Sequence, residues 1–170
     1  RDEALLAVAD DGKTPRGSLS IGANEGTCLY VLPDVFAKYS SLHPGVQINI
    51  YRNFTYKIVE KLEAGSLDVG IITLPVKSPS LKASPIFRDQ LMWMVSPQSP
   101  LAKQDAVSIE EIAQQPLILP KTGYTRRLMN KLLRPYASQL QIRMELPSVG
   151  MIKSFVAAGL GVTLISASFA

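Results

Sequence analysis

Among its 170 residues this sequence has one cysteine and one histidine, and that scarcity removes whole classes of chemistry. A single thiol, Cys28, cannot close an intrachain disulfide, so a reduced, cytoplasmic setting is the default expectation. One Cys and one His fall far short of a Cys/His zinc site, so no metal and no cofactor are expected. The only histidine, His43, sits in the turn His43-Pro44-Gly45 and leaves no evident base to activate a nucleophile. Cys28, near the start of a candidate helix, is open to a lowered thiol pKa but reads better as a small packed residue. Glu25 and Asp34 would be an acid/base pair without a second signal behind them. No enzyme activity is expected.

Long apolar runs are missing too. Ser154 to Ala170 carries no charge, but it is interrupted by Gly159 and Gly161 and is shorter than the roughly 20 residues a membrane span needs. It reads as a buried helix followed by a buried strand, and no membrane partner is expected. The start, Arg1-Asp2-Glu3-Ala4-Leu5-Leu6-Ala7, lacks the basic and then apolar order of a signal peptide and reads as the end of a helix. No phosphate loop or dinucleotide fingerprint occurs, because Gly159-Leu160-Gly161 follows a helix rather than a strand.

What is present is an ordinary globular composition, 46% apolar and 19% charged. The net charge of +4 is too small to argue for nucleic-acid binding. It is unevenly placed: residues 121–170 hold seven basic groups against the single acid Glu145. Lys121, Arg126, Arg127, Lys131, Arg134, Arg143 and Lys153 make up the excess, which reads as the solvated face of a basic helix.

Periodicity supplies the organisation. Ser18 to Ala23 alternates as a strand, Cys28 to Leu42 repeats at helical spacing with Pro33 near its start or at a kink, and Val46 to Tyr51 is a β-branched strand. Ile58, Val59 and Leu62 mark a second helix that Gly65 can close, and Leu67 to Ile72 is a short strand. This β-α-β-α-β order implies a parallel sheet covered by helices. Thr73 to Pro79 is a linker, after which Lys82 to Phe87 and Leu91 to Val95 are strand candidates joined at Arg88-Asp89-Gln90. Ser108 and Glu111 form a capping box. Pro116 to Pro120 is a buried strand, Tyr124 to Tyr136 the basic helix, Ile142 to Leu146 a strand, Ser148 a helix cap, and Gly161 to Ile165 a final strand.

Ligands of open parallel sheets bind beyond the carboxyl ends of the strands. Three turns fall there: Asn24, Glu25, Gly26 and Thr27; Asn53, Phe54 and Thr55 after Arg52; and Pro120, Lys121, Thr122 and Gly123, leading to Thr125. Each joins small hydrogen-bonding residues to a helix N-terminus, where free N–H groups favour an anion. Asn24, Thr27, Asn53 and Thr55 would equally serve as plain N-caps.

These residues carry a resemblance. Gly17-Ser18-Leu19-Ser20-Ile21-Gly22-Ala23, Leu32-Pro33 with Phe36 and His43-Pro44-Gly45-Val46, and Leu62-Glu63-Ala64-Gly65-Ser66-Leu67-Asp68-Val69-Gly70-Ile71 lie in the first half. Pro85-Ile86-Phe87, Ser96-Pro97 through Pro100-Leu101-Ala102, Pro116-Leu117-Ile118 and Val156-Ala157-Ala158-Gly159-Leu160-Gly161-Val162 follow. In order and spacing the set closely resembles the effector-binding domain of LysR-type transcriptional regulators, over nearly all of residues 17–166.

The resemblance implies an α/β fold of two Rossmann-like lobes joined by a hinge, of the type 2 periplasmic-binding-protein kind. Residues 1–16 would end a linker helix, 17–74 begin lobe one, 75–165 form lobe two and 166–170 start the return to lobe one, which is expected to be incomplete at the C-terminus. It also implies a small-molecule effector, polar or anionic, held between the lobes by the three turns. Binding would shift the conformation of a homo-dimer or tetramer, with DNA contacted only through a winged helix-turn-helix that this chain does not contain. The sequence departs from the family at Asn24, where serine is frequent. Glu25 adds a negative charge, which an anionic effector tolerates if Glu25 points away or pairs with Arg52 or Lys121. The alternative is a solute-binding protein of a transport system.

Overall fold

The computed structural model describes residues 15–170, so the helix end expected at the N-terminus lies outside the described residues. Two compact units are formed, the first ending at Ala83 and the second spanning Ser84–Ala170. Among the described residues no helix is long and apolar enough to cross a membrane.

The first unit contains β1 (Gly17–Ala23), α1 (Glu25–Tyr30), α2 (Leu32–Leu42), β2 (Val46–Arg52), α3 (Thr55–Glu63) and β3 (Val69–Ile71). Its sheet has the order β2-β1-β3 with both pairings parallel, as helical crossovers between successive strands require. Gly22 and Gly70 are register partners on β1 and β3. A Cβ on Gly22 would stand 2.6 Å from Ile58 Cγ2, and one on Gly70 2.6 Å from Leu62 Cδ1. The two glycines therefore let α3 lie directly on the sheet, with Ile58 fully buried.

Two expectations in this part of the chain are corrected. The helix read as one run from Cys28 to Leu42 is two helices, α1 and α2, that meet at Val31. Pro33 lies in the first turn of α2, where its missing N–H leaves no bond unmade; inside one continuous helix its ring would clash with the preceding turn. Lys82 to Phe87 is not a strand: residues 72–90 contain no helix or strand, and Ile86 is 70% exposed. Strand Leu91–Met94 pairs instead with a segment some 70 residues later, a long-range partner that local alternation cannot reveal.

The second unit contains β4 (Leu91–Met94), α4 (Ile109–Ala113), β5 (Pro116–Pro120), α5 (Tyr124–Leu133), β6 (Gln141–Leu146), α6 (Val149–Ala157) and β7 (Thr163–Ser166). Short 3-10 turns lie at Pro100–Lys103, Arg134–Gln139 and Ala167–Phe169. Strand β5 is the centre. It pairs in parallel with β6 on one side and with Val162 on the other, through Ile118 N–H to Val162 O at 2.9 Å and Val162 N–H to Pro116 O at 2.8 Å.

Both faces of β5 are covered, which explains its unbroken apolar run. Leu117 and Leu119 pack in a core with Ile112, Ala113, Met129, Leu133, Val162 and Leu164, while Ile118 packs with Ile152 and Val156 of α6. Trp93 and Met94 pack against these cores, whereas Met92 between them is half exposed. The capping box at Ser108 and Glu111 and the Ser148 cap on Met151 are both formed.

Candidate functional site

In the first unit, parallel pairing puts the carboxyl ends of β1 and β2 at one edge, and a backbone bond from Asn53 N–H to Ala23 O at 3.1 Å joins the turns that follow them. Asn24 is the N-cap of α1: its Oδ1 accepts from Thr27 N–H at 3.1 Å. Glu25, Gly26 and Thr27 are thus the first turn of a helix rather than a loop, with Gly26 and Thr27 buried. A cap of this kind stabilises a helix by about 1 kcal/mol.

Glu25 is partnered. Its carboxylate lies 3.5 Å from the Arg52 guanidinium at the end of β2, so the charge it brings to this edge is met by a cation of the same edge. Arg52, one of the two cations considered for it, is therefore a partner of Glu25. Cys28, one helical turn on, donates its thiol weakly to Ala23 O at 3.7 Å. Burial pushes the thiol pKa up; the Arg52 charge opposes this and Glu25 adds to it. The lowered pKa considered for a helix-start cysteine is therefore corrected, because desolvation outweighs the neighbouring cation.

After β2, Asn53 closes on its own surroundings rather than capping α3. Its amide donates to the Tyr51 hydroxyl at 2.8 Å, and its Oδ1 accepts from Phe54 N–H at 2.9 Å. Phe54 holds the N-cap position of α3 without a side-chain cap, and Thr55 is the first helical residue. Of the four residues open to a plain capping role, only Asn24 fills it. Phe54 is half exposed, with its ring stacked on Tyr56 at 6.2 Å and 5° between planes, so this turn presents aromatic surface beside the amide.

In the second unit, Pro120 ends β5, Lys121 and Thr122 are exposed, and Gly123 takes φ 98° to start α5, a conformation that suits glycine. Lys121 N–H donates to Leu146 O at 3.0 Å, which places Pro147 and Ser148 beside this turn. The 147–148 turn is a strand-end turn that sequence reasoning passed over, although its signal, a strand followed by a capped helix, matched the other three. No side chain caps α5, and its first turn carries Arg126 and no acid, an arrangement that leaves positive potential at that end.

Arg126 differs from the solvated role expected of it. Its guanidinium donates to Pro120 O at 2.9 Å and to Asn130 Oδ1 at 3.0 Å and pairs with Glu145 at 2.6 Å. It braces the strand ends beneath the turn. Two cavities, of about 220 Å³ along Ser20, Asn49, Tyr51 and Lys61 and about 200 Å³ along Leu119, Leu133, Leu140 and Ile142, include none of the turn residues. Both are smaller than the roughly 300 Å³ at which small-molecule sites begin.

The model of the LysR substrate binding domain family matches residues 12–170. The chain belongs to that family. As a LysR substrate binding domain it is 30% identical, over 96% of its length, to the uncharacterized HTH-type transcriptional regulator YeiE of Escherichia coli strain K12, of which the match covers 56%. Among solved structures, the cofactor-binding domain of the Cbl transcriptional regulator is 28% identical with a TM-score of 0.76, covering 90% of this chain and 68% of that one. The BenM effector binding domain with its effector benzoate is similar in fold, at 22% identity and a TM-score of 0.71 over 92% of this chain and 72% of that one. The chain spans about half the length of the curated relatives it matches. Its α/β fold is the type 2 periplasmic-binding-like fold of LysR effector-binding domains.

Proposed function

We propose that this LysR substrate binding domain is the effector-sensing part of a transcriptional regulator rather than an enzyme. On this reading a small polar or anionic metabolite is held by Asn24, Glu25, Gly26, Thr27, Asn53, Phe54 and Thr55 of the first unit and by Pro120, Lys121, Thr122 and Gly123 of the second. Family membership over residues 12–170 is the observation that carries it. Three features of the turns support an anionic ligand: Glu25 is neutralised by Arg52, α5 starts without an acidic residue or side-chain cap, and Lys121 is exposed beside it. Benzoate, the effector named for BenM, is an anion.

Sensing then means differential affinity. An effector that binds one arrangement of the domain better than another shifts the population toward it, and only by that difference. The regulator would act as a homo-dimer or tetramer in the cytoplasm, and its DNA contact would be made by a winged helix-turn-helix elsewhere in the longer protein. The family match gives the transport alternative no support.

The test is a thermal-shift screen of small carboxylates, amino acids and inorganic oxyanions. A ligand at 100 times its Kd stabilises the folded state by about 2.7 kcal/mol, a shift of several degrees. Thr55→Ala, which removes no cap, and Lys121→Ala, which removes an exposed charge, are expected to abolish the shift while leaving the ligand-free Tm in place. Full shifts in both variants would overturn the site.

A further inference from the structure

Residues 72–90 join the two compact units without helix or strand, and the end of this connector is tied down in an unusual way. Asp89, two residues before β4, accepts from the Ser168 hydroxyl at 2.5 Å through Oδ2 and from Ser168 N–H at 3.3 Å through Oδ1. The same Oδ1 accepts from Gln90 N–H at 2.8 Å. Ala167 N–H donates to Gln90 O at 2.8 Å. The antiparallel register of β4 and β7, in which Leu91 faces Ser166, is thereby continued past the strand ends by a carboxylate. The 3-10 turn Ala167–Phe169 is gripped from its other side as well, because Lys153 Nζ of α6 donates to Phe169 O.

One exposed polar contact of this kind holds little. Here several join the same two chain segments, 79 residues apart in sequence, and the lysine extends the set to a third. Helix α6 in turn starts at Ser148, in the strand-end turn beside Lys121. A contiguous set of hydrogen bonds and one helix therefore runs from the connector to the carboxyl ends of β5 and β6.

We propose that Asp89 is a clasp that makes the end of the inter-unit connector, the Ala167–Phe169 turn and helix α6 move as one body, and so delivers strain in the connector to the strand-end turns of the second unit. The clasp belongs to the second unit alone and does not depend on which ligand the turns hold. Coupling through it is reciprocal: ordering the turns tightens the connector by the same free energy.

Hydrogen exchange of the full 170-residue chain tests it. Asp89→Asn is expected to speed exchange about tenfold in three places together, the Gln90 amide, residues 166–169 and the last turn of α6, while β5 and α5 keep their protection. Ser168→Ala, which trims an exposed hydroxyl and keeps the fold should Asp89→Asn lose it, is expected to act on the same three places. The double variant is expected to exchange no faster than Asp89→Asn alone, since both remove one clasp. Faster exchange confined to the Gln90 amide, or fully additive effects of the two substitutions, would overturn the proposal.

Discussion

Arg126 and Glu145 form an ion pair at 2.6 Å that ties the first turn of α5 to the penultimate residue of β6. Because the same guanidinium also holds Pro120 O, a single side chain spans the carboxyl ends of two neighbouring parallel strands. The loop between them is thus fixed from below, and Lys121 and Thr122 are presented on a braced base.

Replacing Arg126 with alanine is expected to lower stability by about 1–2 kcal/mol, since it removes charge-assisted bonds from a largely covered side chain. Glu145→Gln, at a half-exposed position, should lower it by less than about 1 kcal/mol. A double-mutant cycle by urea denaturation should return a coupling of a few tenths of a kcal/mol or more. Independent effects would mean the pair does not brace the turn.

Gly161 meets backbone rather than a movable side chain. A Cβ there would stand 2.6 Å from Pro116 O, the carbonyl that accepts from Val162 N–H. Gly161→Ala is expected to force the segment before β7 away from β5 and to destabilise by about 2–3 kcal/mol. Chemical denaturation measures this, and a loss below about 0.5 kcal/mol would show that the segment shifts freely.

Thr163 is fully buried in β7, and its hydroxyl has no hydrogen-bond partner among the described residues. Thr163→Val removes that unsatisfied group with little change of shape. A gain of about 1 kcal/mol follows, read as a rise of roughly 2–4 °C in Tm. A fall in Tm would mean the hydroxyl is in fact satisfied.

Glu111 titrates below its ordinary value of 4.5 because the Ser108 N–H and then the Ser108 hydroxyl bond its charged form. At Asp89 burial works to raise the pKa, but the bonds from Ser168 and Gln90 together bring it below the ordinary 3.8. Groups held lower in the folded state stabilise it above the unfolded pKa, and lose that contribution as pH falls through the folded value. Stability should be level from about pH 8 to 6 and decline below about pH 5. Glu111→Gln and Asp89→Asn should each reduce neutral-pH stability and flatten the acid limb of the urea midpoint against pH. An unchanged acid limb in both variants would refute the assignment.

Much of this was legible in the chain because it is local. The Ser108–Glu111 capping box, the Ser148 cap, the buried run Pro116–Pro120 and the strand-end positions of Asn24, Asn53 and Lys121 follow from spacing and side-chain chemistry a few residues long. The break at Val31 was half legible, since Pro33 signalled either a start or a kink without saying which. Lys82 to Phe87 misled because alternation looks the same whether or not a partner strand exists. Whether Thr27 is buried, or Asn53 spends its amide on Tyr51, depends on neighbours that spacing does not name.

By itself the sequence determined the alternation of strands and helical crossovers in the first unit, the parallel sheet this order requires, the absence of a disulfide within these 170 residues and the turns at the strand ends. Each rests on periodicity, capping and chain connectivity, which act within a few residues or through the handedness of a crossover. Only the tertiary structure decided that Arg52 neutralises Glu25, that Arg126 braces two strands, that Asp89 clasps Ser168 and that β4 pairs with β7. The Glu25–Arg52, Arg126–Glu145, Asp89–Ser168 and β4–β7 contacts join residues 19 to 79 positions apart, and nothing local selects one distant partner over another until the core has brought them together.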